Sequence, residues 1–83
     1  MKICRLKTTL DRTGDTRSPH YLKVAKGLFT RPIKIGGERA AGWPEHEVEA
    51  LNAARVAGAS TEQIKRLVEN LHELRKAGMP VLA

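Results

Sequence analysis

The stretch LKTTLDRTGDTRSPHYLKVAKG, residues 6–27, decides the fold. Leu6, Leu10 and Thr13 fall at helical spacing and Ile3 extends that face, so a short helix is expected from about Leu6 to Arg12. Gly14 follows, and glycine best tolerates the left-handed conformation that closes a helix. Gly14-Asp15-Thr16 then reads as a tight turn. Ser18 before Pro19 marks a second helix start: serine caps, and proline in the first turn gives up no needed N–H. Thr16 is the alternative cap. This helix is expected to reach about Lys26 and stop at Gly27. Its apolar side is Tyr21, Val24, Ala25 and Leu28; its basic side is Arg17, Lys23 and Lys26. Two short helices joined by three or four residues, the second one basic, form the helix-turn-helix pattern.

Downstream, Phe29 to Pro32 reads as a loop and Ile33-Lys34-Ile35 alternates as a short strand. Gly36-Gly37-Glu38-Arg39 is a turn, and Ala40 to Trp43 is the return strand. A basic hairpin after a helix-turn-helix is a wing. Pro44 opens a third helix, whose early acids Glu45, Glu47 and Glu49 suit its positive end, and Gly58 stops it. Ser60 with Gln63 is a capping box for a fourth helix with apolar positions Ile64, Leu67, Val68, Leu71 and Leu74. Gly78 and Pro80 end it, and Met79 to Ala83 form a loose end. The expected fold is mostly α with a small β-hairpin: a winged helix-turn-helix with an added C-terminal helix. Residues 1–58 are the winged unit. Residues 59–83 are a helical extension, packed on that unit or used for self-association.

The chain has 83 residues, which bounds it to one small domain with a thin core. Its aromatic residues are Tyr21, Phe29 and Trp43, too few for a deep pocket or a ladder of stacked bases. No apolar run is long enough to span a membrane, and the N-terminal stretch lacks the apolar core of a signal peptide. A single cysteine, Cys4, forms no internal disulfide and fits a reducing, cytoplasmic setting. Cys4, His20, His46 and His72 lack metal-ligand spacing, and no nucleophile–base arrangement is visible, so neither a metal, a cofactor nor an enzyme is expected. The net charge of +6 is unevenly spread. Residues 1–40 hold ten bases against three acids, or +7; residues 41–83 hold five against six, or −1. Such asymmetry points the first half at a polyanion, with nucleic acid foremost.

The chain from Leu6 to about Leu51 resembles the AlpA family of phage-type transcriptional regulators, small proteins related in fold to excisionases and the MerR DNA-binding domain. The resemblance rests on Arg5-Leu6-Lys7 with Leu10, Thr13-Gly14, Arg17-Ser18, Tyr21, Gly27 with Phe29 and Arg31-Pro32-Ile33-Lys34. Above all it rests on Gly42-Trp43 followed by Glu47-Val48-Glu49-Ala50. It covers about half the chain, and the remainder is an extension that many short members lack. It implies a sequence-specific double-stranded DNA binder regulating transcription in a prophage or mobile element. Relatives that act as excisionases bend DNA for an integrase, and a few bind a regulator protein instead. This sequence departs from the family in having His20 where an apolar residue is usual and Leu22 where Arg is common.

Within that pattern Arg17, at the start of the second helix, is placed to read a guanine edge or hold a phosphate. Ser18 caps and its hydroxyl can touch phosphate. Lys23 and Lys26 suit phosphates, because an ammonium is a point charge. Lys34 and Arg39 project from the wing, and Arg31 is either a backbone clamp or a loop charge. Tyr21 packs its ring and offers its hydroxyl, while His20 is either a base reader or, more simply, an exposed histidine. Trp43 belongs to the core. The stripe Ile64, Leu67, Val68, Leu71 and Leu74 either packs on its own domain or forms a homodimer that pairs two DNA half-sites.

Overall fold

A computed structural model of the chain describes residues 2–36 and 40–78. The elements run β1 (Ile3–Arg5), α1 (Leu6–Thr13), α2 (Arg17–Ala25), β2 (Ile33–Lys34), β3 (Ala41–Pro44), α3 (Glu45–Val56) and α4 (Thr61–Ala77). The fold is mostly helical with a small antiparallel sheet, and three of its helix boundaries follow local sequence signals. Gly14 closes α1 at φ 78°, where a side chain would be strained, and its N–H donates to the Leu10 carbonyl. α3 begins at once after Pro44 and carries Glu45 and Glu47 in its first turn. Ser60 and Gln63 make both bonds of the capping box, with N···O distances of 3.2 and 2.8 Å.

Two expectations are corrected here. Ile3 does not extend the face of α1; it opens β1. The sheet has three strands in the order β1-β3-β2, so the hairpin has a third strand and β3 is central. Ile3 faces Pro44, Cys4 faces Trp43 and Arg5 faces Gly42, while Ile33 and Lys34 face Gly42 and Ala41. Gly42 allows this crowding. A Cβ there would sit 2.6 Å from Ile3 Cγ2 and 3.1 Å from both the Cys4 carbonyl oxygen and Ile35 Cδ1. The second correction concerns α2, which is capped by the extended residue Thr16 rather than by Ser18, without a side-chain cap bond. Its inward positions also differ: His20 is buried, Tyr21 and Val24 are half-buried, and Ala25 is exposed.

The core joins Phe29, Trp43, Val48 and Leu51 to Ile64, Val68 and Leu71 of α4. Burial of three aliphatic side chains contributes about 5–9 kcal/mol. The whole net stability expected of a domain this size is about 4–12 kcal/mol. The core is therefore continuous across residue 58, and α4 is an integral wall of it. This uses up most of the apolar stripe considered for self-association: Leu67 is half-buried and Leu74 alone is exposed.

The loop between α2 and β2 makes few regular backbone bonds and is suspended by side chains from three elements. Arg55 Nη2 donates to the Leu28 carbonyl at 2.9 Å, and Trp43 Nε1 donates to the Thr30 carbonyl at 2.8 Å. The Arg31 N–H donates to His72 Nε2 at 3.0 Å, and Arg75 Nη2 donates to the Arg31 carbonyl at 2.9 Å. Arg75 is fixed in turn by Glu47, whose carboxylate is fully buried: Nε and Nη2 donate to its two oxygens at 2.7 and 2.6 Å. Glu47 is thus the anchor of this clamp, and not only a favourable charge at a helix start.

Candidate nucleic-acid interface

The cations separate into two groups once their partners are known. Arg12 pairs with Glu45 at 2.8 Å, a contact that raises its already high pKa. Lys23 pairs with both oxygens of Asp15 at 3.0 and 2.7 Å, Arg75 with Glu47, and Lys76 with Glu73 at 3.5 Å. Among the described residues, Arg5, Lys7, Arg17, Lys26, Arg31, Lys34, Arg55, Lys65 and Arg66 have no carboxylate partner.

Three of these nine converge. Arg5, Lys7 and Arg17 line a cleft of about 240 Å³ with Leu6, Tyr21, Ala40 and Ala41. The local folding explains the convergence. Arg5 is the N-cap of α1 and Lys7 lies in its first turn, while Arg17 begins α2, so both helix N-termini border the cleft. Neither helix has an acid in its first turn or a side-chain cap bond. By contrast α3 has two early acids, and α4 has a complete capping box with Glu62 behind it. The cleft therefore adds the positive ends of two helices to three side-chain cations, a combination that attracts phosphate or carboxylate.

Tyr21 gives the cleft a rigid wall. Its ring lies 6.2 Å from that of Trp43 and 5.4 Å from that of His20, and Arg17 Cζ stands 5.9 Å from its centroid. That cation–π contact limits how far Arg17 wanders while leaving it exposed. Lys34 faces Ala41, one of the residues lining the cleft, across the β2–β3 pair, so these two stand on the same side of the sheet.

The other sequence candidates fall elsewhere. Ser18 and Lys26 are exposed on α2. Lys23 is half-buried with its ammonium committed to Asp15. Arg31 is exposed, with its backbone tied to α4 and no place in the lining of the cleft. Arg39 lies outside the described residues. His20 requires a correction: it is neither an exposed histidine nor placed to read a base, but fully buried. Its ring is packed edge-on against Phe29 and Trp43, at 4.8 and 4.6 Å between centroids. Burial lowers its pKa, with Asp15 opposing and Lys23 reinforcing, and neither ring nitrogen has a hydrogen-bond partner among the described residues. Sequence reasoning does not single out Arg5 and Lys7 as site residues. The available signal is two bases at a helix start with no acid beside them.

A larger groove of about 320 Å³ is bounded by Ile33, Pro44, His46, Leu74, Arg75 and Gly78. The one Lys or Arg in its lining, Arg75, is already held by Glu47. Among the described residues no three His, Cys, Asp or Glu side chains form a group suited to a metal, and no helix is long and apolar enough to cross a membrane. No protein-family model matches the sequence, and no match was found among curated proteins or solved structures.

Proposed function

We propose that this protein binds double-stranded DNA sequence-specifically and regulates transcription, in the manner of phage and mobile-element regulators. The observation that carries the reading is the cleft in which Arg5, Lys7 and Arg17 meet two helix N-termini, with no carboxylate among the described residues to neutralise them. In this reading α1 and α2 act as a helix-turn-helix, and β2 with β3 as its wing. α2 enters the major groove, and the wing, carrying Lys34, follows the backbone or minor groove. Arg5 and Lys7 grip phosphates, which set register and affinity, while Arg17 reaches a phosphate or a guanine edge. The order of elements and the residues shared with AlpA-type regulators support the same assignment.

Fluorescence anisotropy on duplexes from upstream of neighbouring genes, with a random duplex as control, tests it across several salt concentrations. Selective binding is expected, with log affinity falling steeply as log salt rises. Arg5→Gln with Lys7→Gln should lower the slope by about 0.9 for each phosphate left without its cation. Arg17→Ala should reduce discrimination by about 1–3 kcal/mol if it reads a base, and weaken both duplexes equally if it holds a phosphate. Absence of duplex binding at low salt would refute the proposal and turn attention to a protein partner. A bending assay on the bound duplex separates a regulator from an excisionase.

A further inference from the structure

α2 presents an outward face that the positive cleft does not explain. Its inward side is filled by His20, with Tyr21, Lys23 and Val24 half-buried. Arg17, Ser18, Pro19, Leu22, Ala25 and Lys26 are exposed. Pro19, Leu22 and Ala25 make the middle of that face apolar, and Lys26, about 40° round the helix from Leu22, adjoins it, whereas Arg17 lies about 140° away with Tyr21 at the cleft. Leu22 is the centre of the strip and is 54% exposed.

We propose that Leu22 is a specificity-determining residue that packs on the 5-methyl group of a thymine in the major groove. The inference rests on the DNA-binding reading above and adds to it what one position of the target must be. A leucine side chain has no donor or acceptor to offer a base edge. Of the four bases, thymine alone presents a methyl group in the major groove; the others present polar atoms there. Leu22 gains by covering the methyl group. Over guanine, adenine or cytosine it strips water from a donor or acceptor and returns no hydrogen bond. Attraction and rejection therefore select the same base. Lys26 holds the strip against the groove through a phosphate, and Pro19 and Ala25 keep the surface beside Leu22 free of competing polar groups.

The test uses the full chain and a randomised 20-base-pair duplex library. Duplexes enriched by the unaltered protein are resynthesised with deoxyuridine replacing thymine one position at a time, which removes only the methyl group. One position is expected to cost about fourfold in affinity, the equivalent of burying one methyl-sized group. Leu22→Ala, at an exposed position that leaves the core intact, should bind the thymine duplex more weakly and lose that fourfold dependence. Comparing both proteins on both duplexes isolates the contact from any change in DNA shape. If deoxyuridine costs nothing at every position, or Leu22→Ala keeps the same dependence, the assignment of Leu22 is overturned while DNA binding stands. If no duplex is enriched, the DNA-binding reading itself fails and this inference falls with it.

Discussion

Replacing Arg75 by methionine tests the clamp that joins α4 to the rest of the fold. The Glu47 side chain is completely buried and that of Arg75 is 23% exposed, with two charge-assisted bonds between them. Methionine keeps much of the aliphatic stem but leaves a carboxylate buried without its partner. Stranding one member of a buried pair costs about 3–5 kcal/mol, a large part of the about 4–12 kcal/mol expected for a domain this size. Each kcal/mol moves the midpoint of a domain in this size range by about 4–8 °C, so a fall of about 12–40 °C is expected. Urea titration followed by circular dichroism, with an unchanged slope, gives the free energy directly. Adding Glu47→Leu to Arg75→Met should recover most of the loss, because well-packed apolar residues often replace a buried pair at little cost. The double variant should keep a deficit of about 1 kcal/mol, since the Arg31 carbonyl has lost its donor. A cost below about 1 kcal/mol for Arg75→Met, the range of an exposed pair, would refute the reasoning. So would a double variant as unstable as the single one.

Two further outcomes are expected. Gly42→Ala should destabilise the protein by about 1–3 kcal/mol, because its Cβ would meet Ile3 at 2.6 Å; thermal melting reads this, and an unchanged midpoint would mean that β1 yields freely. Acid should weaken the fold through His20 and His72. Burial lowers both pKa values, and Arg31 and Arg75 lower that of His72 further. As pH falls through about 6.5 the unfolded chain binds these protons before the folded one does, so stability present above that pH is lost below it. His20→Phe keeps the edge-on packing and removes one titrating ring. Its urea midpoint should therefore change less between pH 7.5 and 5 than that of the unaltered chain, and an equal change would exclude His20 as a source.

The parts of the fold legible in the sequence are those specified by neighbouring residues. Gly14 at a helix end and Ser60 with Gln63 carry their structural meaning within four positions. β1 does not. Ile3-Cys4-Arg5 is too short to show alternation, and its partners Gly42, Trp43 and Pro44 lie about forty residues away. The burial of His20 is hidden for a related reason: imidazole reads as surface until Phe29 and Trp43 are folded around it. For the candidate site, Arg17 and Tyr21 can be read from the start of α2, and the structure does bring them together. Arg5 and Lys7 join them only because β1 delivers α1 to the same place. Lys23 is drawn out of the site by Asp15, a pairing eight residues long across the turn.

The suspended loop has one more consequence. The direction in which the hairpin leaves α2 is set by Arg55, Trp43, His72 and Arg75, none of which lies in either element that flanks the loop. Changes on α3 or α4 can therefore re-aim the hairpin while every side chain of α2 stays as it is. If the two elements meet DNA together, the spacing between their footprints is inherited separately from the bases that α2 prefers. A lineage can then explore new target lengths through substitutions that never touch nucleic acid.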